Sequence, residues 1–106
     1  ATTWRMLLRE RVLAGLEALS ALRTRLLDMA EAHVGTVMPG YTHWQHAQPV
    51  TFGYWLLAAA DVLARDHTRL TASLRHTNLC PLGAGALTTT AFPLDRAMVA
   101  ELLGFD

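Results

Sequence analysis

"LLRERVLAGLEALSALRTRLLDMA", residues 7–30, decides the fold class. Leu8, Val12, Leu16, Leu19, Leu22, Leu26 and Ala30 return at steps of three and four, the spacing that lines one face of an α-helix. Arg9, Glu10, Glu17, Arg23, Arg25, Asp28 and Glu31 mostly fall off that line. No proline interrupts the pattern, which predicts a helix over 4–34, roughly 46 Å long at about 1.5 Å per residue. Gly35 is placed to close it. Gly15 costs the helix about 1 kcal/mol against Ala, yet permits close approach of a neighbouring helix.

Working outward, a second helix is predicted over 49–76. Phe52, Leu56, Ala60, Leu63, His67, Leu70 and Leu74 form its stripe, and Pro49 suits its first turn. Gly53 falls in that first turn, where its flexibility is tolerated, and Asp61 and Arg65 stand as an i, i+4 ion pair. A short third helix is predicted over 94–103, with Gly104 as its stop. Between the helices lie a loop at 36–48 and a Gly/Pro-punctuated loop at 77–93, "TNLCPLGAGALTTTAFP", whose small, apolar composition predicts ordered packing. No strand-like alternation of useful length is visible. The fold class is all-α, with long antiparallel helices of a helical bundle. Two long apolar helices and one short one cannot bury this much apolar surface alone. The expectation is an oligomer or a fragment of a longer chain, and the abrupt start and the end at "GFD" favour a fragment.

Composition narrows the function. The 106 residues are 52% hydrophobic and 17% charged, unlike a disordered chain. Nine basic residues, all Arg and scattered along the chain, balance nine acidic ones, so neither nucleic acid nor a membrane surface is an expected partner. The apolar run "FGYWLLAAA", 52–60, stops at Asp61, well short of the roughly 20 residues a membrane helix needs. Cys80 stands alone, which fits a reducing, cytoplasmic setting.

Chemistry concentrates in "GYTHWQHAQP", residues 40–49. His43 is able to accept or relay a proton near neutral pH. Thr42 and Gln45 offer a hydroxyl and an amide of the kind that orients a carboxylate. The competing reading is a polar loop whose side chains cap helix ends and satisfy backbone groups. His43 and His46 are three apart, but no Cys or carboxylate lies nearby in the loop to complete a zinc site, so no metal is expected. His67 reads as a core or interface histidine, and His33 and His76 as helix C-terminal residues favoured by the dipole. Trp4, Trp44 and Trp55 read as packing residues, in this chain or against partners. "PLGAGAL", 81–87, reads either as a turn or as a glycine loop able to approach an anion.

Three stretches, "MPGYTHWQHAQPVTFGYWLLAAADVLARD" (38–66), "NLCPLGAGAL" (78–87) and "FPLDRAMVAELLGF" (92–105), together resemble the argininosuccinate lyase family of the fumarase/aspartase superfamily. The resemblance covers nearly the whole chain. It implies a partial central helical domain of a homotetrameric enzyme that eliminates fumarate from a small-molecule dicarboxylate, argininosuccinate, and releases arginine. It implies no cofactor. By the same resemblance Thr42 hydrogen-bonds the substrate, and His43 accepts the proton or relays it with an acidic residue of another subunit. The family's serine loop, Ser-Ser-x-Met-Pro-x-Lys-x-Asn, is absent from these 106 residues, as is its earlier substrate-binding Asn segment, so the isolated stretch is expected to be inactive. Trp44 stands where Leu is commoner, His46 where Arg is commoner, and Tyr54 and Trp55 replace a usual His pair. These departures leave two other readings open: a related carbon–nitrogen lyase for another N-substituted aspartate, or a non-catalytic, crystallin-like structural protein.

Overall fold

A computed structural model of the chain describes residues 1–106. The order of elements is α1 (Thr2–Ala32), β1 (Val37–Thr42), β2 (Gln45–Thr51), α2 (Phe52–Thr77) and α3 (Arg96–Leu102). The chain is mostly helical, as its periodicity predicts. The segment read as a loop, however, is a two-stranded antiparallel ribbon. Two compact units divide the chain, one of Leu16–Arg69 and the other of Ala1–Gly15 with Leu70–Asp106.

In the first unit, the end of α1 meets the start of α2 at the root of the ribbon. The Gly53 amide donates to the His33 carbonyl at 3.1 Å, and the Phe52 amide to the Thr36 carbonyl at 2.8 Å. A Cβ at Gly53 would stand 2.6 Å from the Ala30 carbonyl oxygen and 3.0 Å from that of His33. Gly53 is therefore demanded by close approach. Gly15, by contrast, faces open space. The missing side chain lets Leu56 (3% exposed) and Ala60 (1%) pack along the same face one and two turns on. The stripe expected on α2 holds: Phe52, Leu63, His67, Leu70 and Leu74 are all half-buried. That on α1 holds only in part. Val12, Leu16, Leu19 and Leu26 are half-buried and Ala30 is buried, whereas Leu8 and Leu22 are exposed.

Helix boundaries differ from the sequence reading for local reasons. Pro49 lies in β2, opposite Pro39, and not in α2. The hydroxyl of Thr51 accepts from the Tyr54 amide at 3.2 Å, so α2 is capped at Thr51 and starts at Phe52. α1 ends at Ala32, ahead of Gly35, with a turn in which the Thr36 amide donates to the His33 carbonyl. The ion pair on α2 joins Asp66 to Arg69 at 2.5 Å, not Asp61 to Arg65.

In the second unit, two arginines one turn apart on α1 hold helix ends. Arg5 donates to the carbonyls of His76 (2.9 Å) and Thr77 (3.2 Å), the last residues of α2. Arg9 donates to Asn78 Oδ1 at 2.9 Å, to the Leu103 carbonyl at 3.1 Å and to the Gly104 carbonyl, and its guanidinium lies 4.9 Å over the ring of buried Phe105. These contacts bring cations to carbonyls that a helix leaves unpaired. α3 starts at its cap Asp95, which accepts from the Met98 amide, and stops as predicted at Gly104, whose φ is 66°. The Phe105 amide donates to Ala100 and the Gly104 amide to Glu101, the Schellman pattern. The 77–93 segment is ordered by its own bonds, Thr89 amide to Ala84 carbonyl at 2.7 Å and Thr89 hydroxyl to Gly83 carbonyl at 3.1 Å. Its apolar side chains do not pack inward: Leu82, Leu87 and Phe92 are exposed.

Three expectations follow for denaturation experiments. Gly15→Ala should raise stability by about 0.5–1 kcal/mol, the helix-interior preference with nothing in the way. Gly53→Ala should lower it by about 1–3 kcal/mol, because its methyl overpacks against backbone. Arg9→Met should cost about 1–3 kcal/mol through the carbonyls it strands. It should also speed amide exchange in α3, and Arg9→Lys should not restore protection, since a single ammonium cannot span three acceptors in that planar geometry.

Candidate functional site

The ribbon carries every residue singled out as a site candidate. Thr42 pairs with Gln45 across the last rung, and His43 and Trp44 form the two-residue turn between them. Both turn residues have positive φ, 50° at His43 and 62° at Trp44, the mark of a type I′ hairpin turn. That turn matches the twist of the strands, but it favours Asn-Gly. For side-chain-bearing residues the left-handed region costs roughly 1–2 kcal/mol each. Strain of this kind gathers where position matters more than stability.

Lower in the ribbon, Gly40 opposes both Ala47 and Gln48 in a bulge, where the register shifts. A Cβ at Gly40 would sit 2.7 Å from the Gln48 carbonyl oxygen. The bulge sets which face each later residue takes. Thr42 and Gln45 point to one face of the tip, and the next pair down, Tyr41 and His46, to the other. Tyr41 Oη and His46 Nε2 are 3.2 Å apart, and the rings lie 4.9 Å centre to centre.

Thr42, His43 and Gln45 are all exposed, and none of their side chains is hydrogen-bonded within the chain. They cap no helix and satisfy no backbone group. A hydroxyl, an imidazole and an amide therefore share one ribbon tip with their hydrogen-bonding capacity uncommitted, an arrangement suited to gripping a carboxylate beside a proton-transfer group. Trp44 is 96% exposed at the apex, and Trp4 and Trp55 are exposed as well, so none of the three is buried within this chain.

The remaining histidines take other positions. His33 Nδ1 lies 3.1 Å from the Thr36 hydroxyl, and its ring meets Phe52 edge-on at 5.2 Å, a structural role at the ribbon root. His67, half-buried, lines a cavity of about 250 Å³ with Leu19, Ser20, Arg23, Thr24 and Ala64. His76 falls in the last turn of α2. No group of three or more His, Cys, Asp or Glu comes together, and no helix is long and apolar enough to cross a membrane. At the Gly/Pro loop, Gly83 faces the aliphatic stem of Arg96, with Gly83 and Gly85 both at positive φ, a turn's use of glycine.

Known proteins match the chain along its length. A protein-family model described as a lyase matches residues 1–106. The chain is 49% identical over 105 residues to argininosuccinate lyase of Streptococcus mutans, covering 99% of this chain and 23% of that one. It is 52% identical over 106 residues to argininosuccinate lyase of Methanospirillum hungatei, covering 100% and 22%. Among solved structures, EDDS lyase in complex with formate superposes with a TM-score of 0.94 at 41% identity, over 96% of this chain and 20% of that one. A fumarate lyase:delta crystallin from Brucella melitensis bound to cobalt shares the fold, with a TM-score of 0.74 at 22% identity over 94% and 23%. The chain spans under a quarter of the length of the curated relatives it matches. A lyase-family match that spans residues 1–106, together with these curated relatives, places the chain in this lyase family of the fumarase/aspartase superfamily.

Proposed function

We propose that the chain is the central helical part of a carbon–nitrogen lyase of the argininosuccinate type, which splits argininosuccinate into arginine and fumarate. The supporting observation is the uncommitted Thr42–His43–Gln45 cluster at a strained ribbon tip. Breaking the carbon–nitrogen bond requires loss of a proton from the carbon next to a carboxylate. The negative charge then spreads into that carboxylate as an aci-form. The Thr42 hydroxyl and Gln45 amide are fixed donors for that carboxylate, and they need no reorganisation as charge develops. His43 takes the proton or passes it to an acidic partner, a contribution of about 10²–10⁴ in rate, or roughly 3–5 kcal/mol of barrier.

In this reading the site is completed by segments outside these 106 residues, the serine loop among them, and by other copies in a homotetramer. The 106-residue stretch alone is inactive. The chemistry asks for no organic cofactor or metal, the partner is a small dicarboxylate, and the setting is cytoplasmic. A second reading, a related lyase for another N-substituted aspartate, draws on the 41% identity to a lyase of different name, EDDS lyase.

The test is release of fumarate, followed by its ultraviolet absorbance, from the full-length protein. Argininosuccinate should be turned over; turnover only of another N-substituted aspartate would select the second reading, and no turnover of any would remove the enzymatic claim. His43→Ala in that protein should lower kcat by about 10²–10⁴-fold. It should leave stability within about 0.5 kcal/mol, because the exposed imidazole makes no bond that folding would lose. An equal loss of thermal stability would assign His43 a structural job.

A further inference from the structure

We propose that Tyr41 and His46 are positioning residues, a hydrogen-bonded cross-strand pair that holds the His43–Trp44 turn in its left-handed geometry and so aims His43. The catalytic consequence depends on the functional reading above; the structural one does not.

The pair sits on the rung directly beneath Thr42 and Gln45, on the opposite face of the ribbon. It therefore faces away from Thr42 and Gln45 and leaves their face free. Apart from the backbone pairing of Thr42 with Gln45, it is the one side-chain brace at this end of the ribbon. Among the side chains of residues 40–49 the only hydrogen bond is Tyr41 Oη to His46 Nε2, at 3.2 Å, and the only ring contact is between the same two residues, tilted at 41°. Below them the ladder is interrupted at the Gly40 bulge, and lower still Pro39 faces Pro49, neither of which has an N–H to give. A turn whose residues both occupy an unfavourable backbone region, on a ribbon with this weakened middle, needs a local clamp. Tyr41 and His46 supply it at the one intact rung adjoining the site. Either tautomer of His46 keeps the bond: with Nε2 unprotonated the tyrosine hydroxyl donates to it, and with Nε2 protonated it donates to the tyrosine oxygen.

The experiment is a double-mutant cycle in the full-length protein. Tyr41→Phe keeps the ring and removes the hydroxyl. It should lower kcat about three- to tenfold, the value of one net hydrogen bond, with KM changed less than twofold. Trp44→Gly gives the turn a residue that prefers positive φ. In the Trp44→Gly background, Tyr41→Phe should change kcat less than twofold, because the clamp is no longer needed. Amide exchange at Gln45, the first residue past the turn, should accelerate about three- to tenfold in Tyr41→Phe and return when Trp44→Gly is added. An equal kcat loss from Tyr41→Phe in both backgrounds would overturn the proposal, since the hydroxyl would then act other than through the turn. So would unchanged Gln45 exchange. If the full-length protein releases no fumarate, the functional reading fails, and the exchange result alone decides the clamp.

Discussion

The close approach of Gly53 to the end of α1 fixes everything that matters for the site. With hydrogen in place of a side chain, the α2 backbone comes within 3.1 Å of the His33 carbonyl and accommodates the Ala30 carbonyl beside it. Thr36 and Phe52 are then bonded to each other, and those two residues bracket the ribbon. The strands leave the helix ends from a defined root and in a defined register, Val37 against Thr51 and Met38 against Val50. A two-stranded ribbon has little stability of its own in water. This one starts from an anchored rung, and His33 stacked edge-on against Phe52 reinforces the anchor. The site at the tip therefore inherits its position from a glycine with no chemistry to offer.

What the sequence disclosed follows from how each element is stabilised. The α2 stripe was legible because tertiary packing and helical period agree there from Phe52 to Leu74. On α1 the apolar residues run wider than one face. Period alone did not show that Arg5 and Arg9 turn toward the helix ends while Leu8 and Leu22 turn away. The ribbon was hidden for a different reason. Its turn is His-Trp in place of Asn-Gly, two prolines sit where strands are usually broken, and the Gly40 bulge destroys the alternation that marks a strand. Pro49 before an apolar run imitates a helix start, while Thr51, the residue that caps α2, looks unremarkable in sequence. The candidate residues stood out by type and by resemblance, but their adjacency did not, since Thr42 and Gln45 become neighbours only when the chain reverses between them.

The same mismatch between pattern and packing bears on assembly. Half the chain is apolar, yet the buried apolar side chains are only Ala30, Leu56, Ala60 and Phe105. Leu7, Leu13, Met29, Leu57 and Val62 remain exposed on the two long helices. Helices of this composition draw their stability from neighbours more than from intrinsic propensity. The clamps formed by Arg5 and Arg9 act on backbone carbonyls and leave those outward apolar faces untouched. The chain thus secures its helix ends and its ribbon root internally, while apolar side chains along both long helices stay exposed.

That division suits a site assembled from several pieces. On the proposed function, a proton-transfer group and two carboxylate donors have to be held to within a fraction of an ångström, and a substrate needs walls beyond theirs. Placing them on a ribbon that projects from a helical frame presents them to whatever completes the site, and the left-handed turn keeps their side chains outward. A loop capped onto its own helices would have been more stable, and it would have spent the hydroxyl, amide and imidazole on backbone groups. The uncommitted state of Thr42, His43 and Gln45, on a turn that costs energy to form, is what the proposed function asks of a segment that contributes to a composite site.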